Sequence, residues 1–368
     1  MTQLTLLIDE ELGVNLIRIT DLSKSLGGDM KKITIIGTGY VGLVSGAGIS
    51  DFGHHVTCVD ILEEKISSLN QGKIPIYEPG LKDLVERNIQ AGRLVFSTEI
   101  GRMIKNSEVI FIAVGTPESA DGNADLTAVF SVAETIANHL NDYKVICTKS
   151  TVPIGTGQKI IELIRSKTDQ SFDYCSNPEF LREGSAVGDF LRPDRVVLGA
   201  SSNKAFTVMK DIYRPLYINQ TPMIHTTIAS AEMIKYASNS FLALKISYIN
   251  EIANLCETVN ADVHTVARAM GIDGRISPKF LHAGPGFGGS CFPKDVKALA
   301  SLAKLKKIPI YTLDGAIKAN ELQKEKMIDK LKFLLGGNFR GKHIAILGLT
   351  FKPETCLLYT SPSPRDRG

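Results

Sequence analysis

The sequence predicts an α/β protein in which a doubly wound parallel sheet is followed by an all-α region. Three observations favour this class. Apolar runs alternate with helical patterns from residue 33 to about 150, a glycine-rich turn follows the first run, and residues 223–270 contain neither glycine nor proline. Alternating strand and helix patterns are typical of βαβ units, whose strands are parallel. The long segment without glycine or proline predicts helices.

The composition favours an ordinary soluble protein with small-molecule partners. Hydrophobic residues make up 43% of the chain, charged residues 22%, and the net charge is +3. This charge is too small to indicate a nucleic-acid partner, and no apolar run approaches the roughly 20 residues of a membrane helix. The six cysteines lack CxxC spacing, so neither a metal site nor a disulfide framework is predicted. The expected location is a reducing cytoplasm.

The glycine-rich turn, residues 37–42, has the pattern GxGxxG directly after the apolar run 33–36. Such glycines permit a tight turn, close approach of a pyrophosphate, and close packing of the next helix. Asp60 ends the following apolar run, where a carboxylate accepts hydrogen bonds from the adenosine ribose and repels a 2′-phosphate. The sequence therefore predicts an N-terminal Rossmann domain that binds NAD in preference to NADP.

The segment 223–270 can form one long helix, or two helices joined near Val259–Asp262. This segment has more apolar residues than a single stripe along one helix face would hold, among them Ile234, Phe241, Ile249 and Ile252. More than one face of the helix is therefore expected to be buried. A helix buried on several sides is typical of a hub between domains or the core of a dimer interface.

Five segments follow from these patterns. Met30 reads as a natural start, so residues 1–29 are interpreted as an upstream extension, with a flexible arm equally compatible. We predict a Rossmann domain over 30–222 and a central helical domain over 223–325. A strand-like run from His343 to Leu347 predicts that a second, truncated Rossmann-like domain begins within 326–355. Residues 356–368 lack periodicity and are interpreted as an artefactual tail.

The most informative motif is the run from Gly286 to Asp295, which contains Cys291. A thiolate can hold an aldehyde as a thiohemiacetal, from which a second hydride can leave. Cys291 therefore predicts a four-electron oxidation of an alcohol to an acid. The alternative is a small buried hydrophobic residue, which is common for cysteine.

Other polar residues have spacings suited to acid–base chemistry. Glu179 and Glu183 lie four residues apart beside a turn, where a carboxylate can act as a general base. Lys235 and Asn239 share one helix face, where the lysine could stabilise an alkoxide. Thr116 and Thr151 each follow a strand-like run. Spacing alone does not distinguish these residues from solvated side chains and ordinary turns.

Together with Glu78–Leu81, Phe280–Gly284 and Phe351–Pro353, these motifs resemble the UDP-glucose/GDP-mannose dehydrogenase family from Met30 to Thr355. The resemblance implies oxidation of UDP-glucose to UDP-glucuronate with reduction of two NAD. In that family a second Rossmann-like domain covers the nucleotide and supplies an arginine to the NAD site. Tyr359 stands about where that arginine belongs.

The resemblance also implies residue roles. Cys291 would be the nucleophile, Lys235 and Asn239 would stabilise the oxyanion with support from Asp295, and Glu179 with Thr151 would assist thioester hydrolysis. Cofactor contacts are implied for Gly37, Gly39, Val41, Gly42, Asp60, Lys65, Thr116, Thr151, Glu183 and Lys294. Sugar-nucleotide contacts are implied for Glu179, Phe180, Leu181, Arg182, Lys235, Phe280, Leu281, His282, Ala283, Gly284, Gly288 and Lys352. Arg275 would reach the substrate of a neighbouring subunit in a homodimer built on the long helix.

Several alternatives stay open. The same chemistry could act on GDP-mannose or UDP-N-acetylmannosamine, although Asp194–Val196 after Pro193 resembles the UDP-glucose branch. A single-hydride hydroxyacid dehydrogenase would not need the thiol. An inactive NAD-binding fragment is a further alternative, suggested by the abrupt C-terminal end.

Overall fold

The computed structural model of the protein describes residues 30–119, 123–345, 347, 352, 354 and 355. The interpretations of residues 1–29 as an extension and of residues 356–368 as a tail lie outside the described residues.

Eight strands form a single sheet in the order β3-β2-β1-β4-β5-β6-β7-β8. The strands are β1 (Lys32–Ile36), β2 (His55–Val59), β3 (Leu94–Ser97), β4 (Val109–Ile112), β5 (Lys144–Thr148), β6 (Phe172–Ser176), β7 (Val196–Ala200) and β8 (Met223–Thr226). Neighbouring strands are parallel except for β6 and β7, which are antiparallel. The order of β1 to β6 is that of a Rossmann fold, so the predicted doubly wound sheet is confirmed.

Helices connect these strands and then continue beyond them. They are α1 (Tyr40–Asp51), α2 (Glu63–Asn70), α3 (Leu81–Gln90), α4 (Ile100–Asn106), α5 (Thr127–His139), α6 (Thr156–Arg165), α7 (Ala186–Leu191), α8 (Asn203–Ile212), α9 (Ile228–Val259), α10 (Val263–Ile272), α11 (Phe292–Leu305) and α12 (Tyr311–Leu334). The predicted all-α region after the sheet is therefore present.

The central strands are apolar because helices cover both faces of the sheet. Every residue of β4 and β5 is buried. Ile35 and Phe111 belong to the core on one face, and Ile36 and Ile112 to the core on the other, as the alternation of side chains along a strand requires. The strand order reverses between β1 and β4, and ligands bind such folds outside the carboxyl ends of the strands at this point.

The helical region begins with the long helix α9. The side chain of Thr227 accepts a hydrogen bond from the Ser230 amide and caps the helix, and Asn260 ends it with a left-handed φ of 56°. Asp262 then caps α10, so the alternative of two helices joined at Val259–Asp262 is correct. A third core lies between α9, α11 and α12 and contains Tyr236, Phe287 and Leu299.

Three details differ from the sequence interpretation. The last strand of the sheet, β8, begins at Met223, just after the predicted end of the Rossmann domain at residue 222, and α12 runs without a break through residue 325. Phe241 is 60% exposed, although the apolar pattern of α9 placed it among buried residues. The described residues of the predicted strand 343–347 form no strand, because Ile344 and Leu347, 48% and 95% exposed, have no neighbouring strand to pair with.

Candidate active site

The glycine-rich turn joins the end of β1 to the start of α1. Gly37 has a φ of +105°, and a Cβ there would lie 2.6 Å from the carbonyl oxygen of Ala113. A Cβ on Gly42 would lie 1.9 Å from the carbonyl oxygen of Gly37, whereas one on Gly39 would meet no atom within 4 Å. Two glycines are thus required for packing, and the third leaves open space at a helix N-terminus. This geometry fits a dinucleotide pyrophosphate.

Asp60 follows β2 at the same edge of the sheet. Its Oδ2 accepts hydrogen bonds from the amide and hydroxyl of Thr38 at 3.0 and 2.6 Å and from Lys65 Nζ at 3.2 Å. Burial alone would raise the pKa of Asp60, but the bonds from Thr38 and the cation of Lys65 outweigh it and hold this pKa below its usual value. The carboxylate is therefore ionised beside the glycine-rich turn, which is what ribose binding requires.

Two predicted threonines meet at the carboxyl ends of β4 and β5. Thr116 Oγ1 donates a hydrogen bond to the carbonyl oxygen of Thr151 at 2.9 Å. The structure therefore brings these residues together at the edge where the cofactor turn lies. Val41 is partly buried at the start of α1.

A cavity of about 820 Å³ lies beside this edge and is bordered by the loop after β6, by α9 and by the loop before α11. The predicted site residues that line it are Glu179, Phe180, Leu181, Arg182, Glu183, Lys235, Asn239, Phe280, Gly288, Cys291 and Lys352. The first and the last of them, Glu179 and Lys352, are more than 100 residues apart in the sequence, so the fold brings them together.

A buried ion pair forms one wall of the cavity. Lys235 Nζ donates to Glu179 Oε1 at 2.8 Å and to the Glu179 carbonyl oxygen at 2.7 Å. Burial disfavours both charges, but the partner charge dominates, so the pKa of Lys235 is raised and that of Glu179 is lowered. Both groups are therefore ionised. A held cation next to a cavity can stabilise a developing oxyanion.

Asn239 lies one turn after Lys235 on α9 and is fixed by Asp295. Asn239 Nδ2 donates to Asp295 Oδ2 at 2.6 Å, and Lys294 Nζ donates to Asp295 Oδ1 at 2.8 Å. Asp295 is 1% exposed and does not line the cavity. It therefore orients the amide of Asn239, whose remaining donor can serve a ligand.

Cys291 is the residue that immediately precedes α11, and its thiol faces the same cavity. Burial raises the pKa of the thiol, the carboxylate of Glu179 adds to this rise, and the cation of Lys235 opposes it. Ser290 Oγ lies 3.6 Å from Cys291 Sγ and donates to Glu183 Oε1 at 2.7 Å. The thiol is thus protonated at neutral pH and lies within reach of polar groups.

Glu78 joins the glycine-rich turn to the segment that follows β6. Its carboxylate accepts hydrogen bonds from the amides of Gly184 and Ala186 at 2.8 and 2.7 Å and from the hydroxyl of Tyr40 at the start of α1. Glu78 is 5% exposed. One buried carboxylate therefore holds both loops.

Some predicted residues lie away from the cavity. Leu281 is buried beneath it, His282 is exposed, and Ala283 and Gly284 are partly buried. Arg275 is bound to Asp273, with its side chain 89% exposed, so it has no part in the cavity of its own chain. Its predicted contact with a neighbouring subunit stays a prediction.

Several residues that support the site were missed as candidates. Lys149 Nζ donates to Asn177 Oδ1 at 3.1 Å and to Tyr213 Oη at 3.3 Å, and burial lowers its pKa to about 8. Asn320 pairs with both backbone groups of Phe287, at 2.7 and 3.1 Å. For Lys149 the only sequence signal was its position directly after a buried strand. The pattern around Asn320 in α12 resembles any polar helix face.

A glycine-rich Rossmann turn with an ionised aspartate, next to a cavity that holds a thiol, a cation and carboxylates, defines an NAD-dependent dehydrogenase. Two family models agree with this class: the NAD binding domain of the UDP-glucose/GDP-mannose dehydrogenase family matches residues 31–217, and its central domain matches residues 229–322. The chain belongs to the UDP-glucose/GDP-mannose dehydrogenase family, is an oxidoreductase, and uses NAD.

Individual relatives are similar over most of the chain. A UDP-glucose 6-dehydrogenase of Rhizobium meliloti is 52% identical over 90% of this chain and 77% of its own length. UDP-glucose 6-dehydrogenase TuaD of Bacillus subtilis is 52% identical over 91% of this chain and 72% of its own length. The structure of a UDP-glucose dehydrogenase from Pyrobaculum islandicum has a TM-score of 0.86 at 37% identity, covering 89% of this chain and 76% of that one.

Within the part of the chain that the structure describes, no helix is long and apolar enough to cross a membrane.

Proposed function

We propose that the protein oxidises UDP-glucose to UDP-glucuronate in two NAD-dependent steps through a covalent intermediate on Cys291. The observation that carries this proposal is the thiol of Cys291 facing one cavity with the Lys235–Glu179 pair and Asn239. The substrate is supported by the 52% identity to UDP-glucose 6-dehydrogenases. Bound NAD supplies the acceptor for the two hydrides.

In the first step the 6-hydroxyl loses its proton and a hydride leaves the same carbon, which gives an aldehyde. Lys235 and Asn239 share the face of α9 that lines the cavity, so both stabilise the oxygen as it gains negative charge. Asp295 fixes the orientation of the Asn239 amide, and Lys294 holds Asp295. Lys235 serves as a cation because its pKa is raised.

In the second step the sulfur of Cys291 adds to the aldehyde carbon and the carbonyl electron pair moves to oxygen. This thiohemiacetal again carries a hydrogen on the carbon, so a second hydride can leave and a thioester remains. Water then hydrolyses the thioester. The overall reaction consumes one alcohol, one water and two NAD⁺ and yields one carboxylate, two NADH and three protons.

Glu179 is the proposed base for the hydrolysis, with Thr151 helping to place the water. Its carboxylate borders the cavity, and Lys235 holds its pKa low, which makes it a weak base at rest. When the oxyanion draws the cation of Lys235 away, the basicity of Glu179 rises. The pair would thus couple oxyanion stabilisation to base strength.

The decisive measurement is the yield of NADH per UDP-glucose consumed. Two NADH per sugar are expected because the thiohemiacetal permits a second hydride transfer. One NADH per sugar would mean that the reaction stops at the aldehyde and that Cys291 is not a covalent catalyst.

A neighbouring substrate is the main competing proposal. GDP-mannose dehydrogenase of Pseudomonas aeruginosa is 35% identical with a TM-score of 0.65, and a UDP-N-acetylmannosamine dehydrogenase of Pyrococcus horikoshii is 26% identical with a TM-score of 0.75. Both values of identity are below the 37% found for the archaeal UDP-glucose dehydrogenase. Comparing kcat/KM for the three sugar nucleotides tests the choice.

We also propose a homodimer in the cytoplasm. Phe241, Tyr248 and Leu255 recur every seven residues on α9 and are 60%, 47% and 59% exposed. Apolar residues at this spacing share a helix face and are typical of helix–helix association. The thiol chemistry of Cys291 requires a reducing compartment, which supports the cytoplasm.

A further inference from the structure

We propose that Ser290 relays the proton of the Cys291 thiol to Glu183 when the sulfur adds to the aldehyde. The inference rests on the proposed covalent step. It gives the thiol proton a destination, and it assigns to Ser290 a role in proton transfer.

The geometry joins the three groups in sequence. Glu183 Oε1 accepts the hydroxyl proton of Ser290 at 2.7 Å, and Ser290 Oγ lies 3.6 Å from Cys291 Sγ. Because the hydroxyl proton points to the carboxylate, a lone pair of Ser290 Oγ is available to the thiol. Proton transfer from the sulfur to the carboxylate requires hydrogen bonds that run in this direction. All three side chains line the cavity.

Other carboxylates near the sulfur are engaged with cations. Glu179 is bound to Lys235, and Asp295 is bound to Lys294. The hydrogen bond that Glu183 receives from Ser290 comes from a neutral hydroxyl, and the cation of Lys352 also acts on this carboxylate. Among these carboxylates, Glu183 is therefore the one with a hydrogen-bonded path to the thiol through a group that can exchange a proton.

The electrostatic surroundings favour the same direction. Burial raises the pKa of Glu183, so it accepts a proton more readily than an ordinary carboxylate. The charged groups that act on Glu183 are Lys352, Glu179 and Glu78, and those that act on Cys291 are Glu179, Lys235 and Asp295. Since burial also raises the pKa of the thiol, Cys291 carries a proton that must leave during addition.

The step balances without an oxidant. The carbon–sulfur bond forms as the S–H proton passes to Ser290 Oγ and the Ser290 proton passes to Glu183 Oε1. The carbonyl π pair moves to oxygen beside Lys235 and Asn239. Glu183 returns the proton along the same path when thioester hydrolysis releases the sulfur.

Single-turnover kinetics with UDP-glucose and excess NAD test the relay by resolving the two NADH phases. Ser290→Ala and Glu183→Gln should each slow the second phase by about 100-fold, the lower range for general acid–base catalysis. Ser290→Ala should leave the first phase within about threefold, because the relay acts only when the sulfur adds to the aldehyde. The double variant should be no slower than either single variant, because both remove the same path. Ser290→Thr keeps the hydroxyl and should restore most of the rate.

Ser185→Ala is the matched control, since its hydroxyl lies in the loop of Glu183 but contacts the carbonyl of Arg182. A second readout is the pH dependence of Cys291 alkylation by iodoacetamide. Its midpoint should shift in Ser290→Ala and stay unchanged in Ser185→Ala, because of these two hydroxyls only that of Ser290 lies 3.6 Å from the sulfur.

The outcomes separate the relay from the proposed function. A second phase in Ser290→Ala as fast as in Ser185→Ala would overturn the relay while two NADH per sugar still support the covalent step. Multiplicative losses in the double variant, or equal losses in both phases, would indicate a structural role and also overturn it. One NADH per sugar in the unmodified protein would instead overturn the proposed function.

Discussion

At Cys291 the effects of burial, charge and backbone position oppose one another. Burial and Glu179 favour the neutral thiol, whereas Lys235 favours the thiolate. The position at the start of α11 adds the positive end of the helix dipole, which also favours the thiolate. Such a thiol is protected from oxidation at rest and becomes reactive when a substrate carbonyl arrives beside Lys235.

Replacement of this sulfur tests the covalent step directly. We expect Cys291→Ser to lose the overall reaction, because a serine alkoxide is much harder to form than a thiolate. The measurement is NADH release from UDP-glucose. A variant with the unmodified rate would contradict the covalent intermediate. Cys256→Ser, at a buried cysteine of α9 outside the cavity, is the control.

Asp60 gives a second prediction at the same scale. Asp60→Asn removes the charge that favours ribose hydroxyls and repels a 2′-phosphate. NAD binding should weaken by roughly 1.5–3 kcal/mol, or about 10- to 150-fold, the range for hydrogen bonds to a charged group. The ratio of NAD to NADP affinity, measured by titration, should fall. An unchanged ratio would remove Asp60 from the ribose site.

At the scale of elements, α9 joins the two halves of the site. It carries Lys235 and Asn239 into the cavity, and its buried Glu232 accepts hydrogen bonds from the amides of Gly155 and Gly157 at 2.6 and 2.7 Å. The same helix therefore caps α6 of the sheet region and presents the polar groups of the cavity. This is why a single long helix, rather than a hinge, lies between sheet and helical region.

The loop before α11 is held by side chains from α9 and α12. Asn320→Ala would leave the amide and carbonyl of the buried Phe287 without partners, which should lower the free energy of unfolding by about 1–3 kcal/mol. The KM for the sugar nucleotide should rise because the loop carries cavity residues.

Denaturation and steady-state kinetics measure the two effects. The control is Glu321→Ala, because the Glu321 side chain is exposed and pairs with Lys324. This substitution should change neither the free energy of unfolding nor the KM by much. If Asn320→Ala behaves like this control, the loop is held by other contacts.

The sequence sufficed for elements whose pattern is local. The strand, glycine turn and helix of residues 32–51 and the Asp60 position follow from periodicity and glycines, whereas the division of α9 from α10 was one of two alternatives that the sequence left open. The partnership of Ser290 with Glu183, and of Lys149 with Tyr213, could not be predicted, because each depends on which loops the sheet order brings together. The exposure of Phe241 in the single chain could not be predicted either, since an apolar side chain carries no local signal that distinguishes a core from an interface.

At the scale of the whole molecule, the single chain leaves uncovered the apolar face of α9 formed by Phe241, Tyr248 and Leu255. We expect Leu255→Glu to shift the protein from dimer to monomer, because burying an unpaired charge at an interface costs about 2 kcal/mol or more, roughly 30-fold in the dissociation constant. Sedimentation velocity over a concentration series measures this shift. Ile218→Glu is the matched control, since Ile218 is 87% exposed and lies outside α9.

A monomer at all concentrations for the unmodified protein would contradict the dimer. A dimer that tolerates Leu255→Glu would place the interface on another face.

The shared anchor at Glu78 has a consequence for how the two ligands bind. Its carboxylate binds Tyr40 at the start of α1 and the amides of Gly184 and Ala186 in the segment after β6, so neither segment can shift without loosening a bond of the other. A ligand that fixes one loop lowers the entropy still to be lost by the other. By thermodynamic reciprocity, NAD and the proposed sugar nucleotide should then change each other's affinity by the same factor. Glu78 thus makes the coupling between the two binding sites a property of the fold as well as of the chemistry.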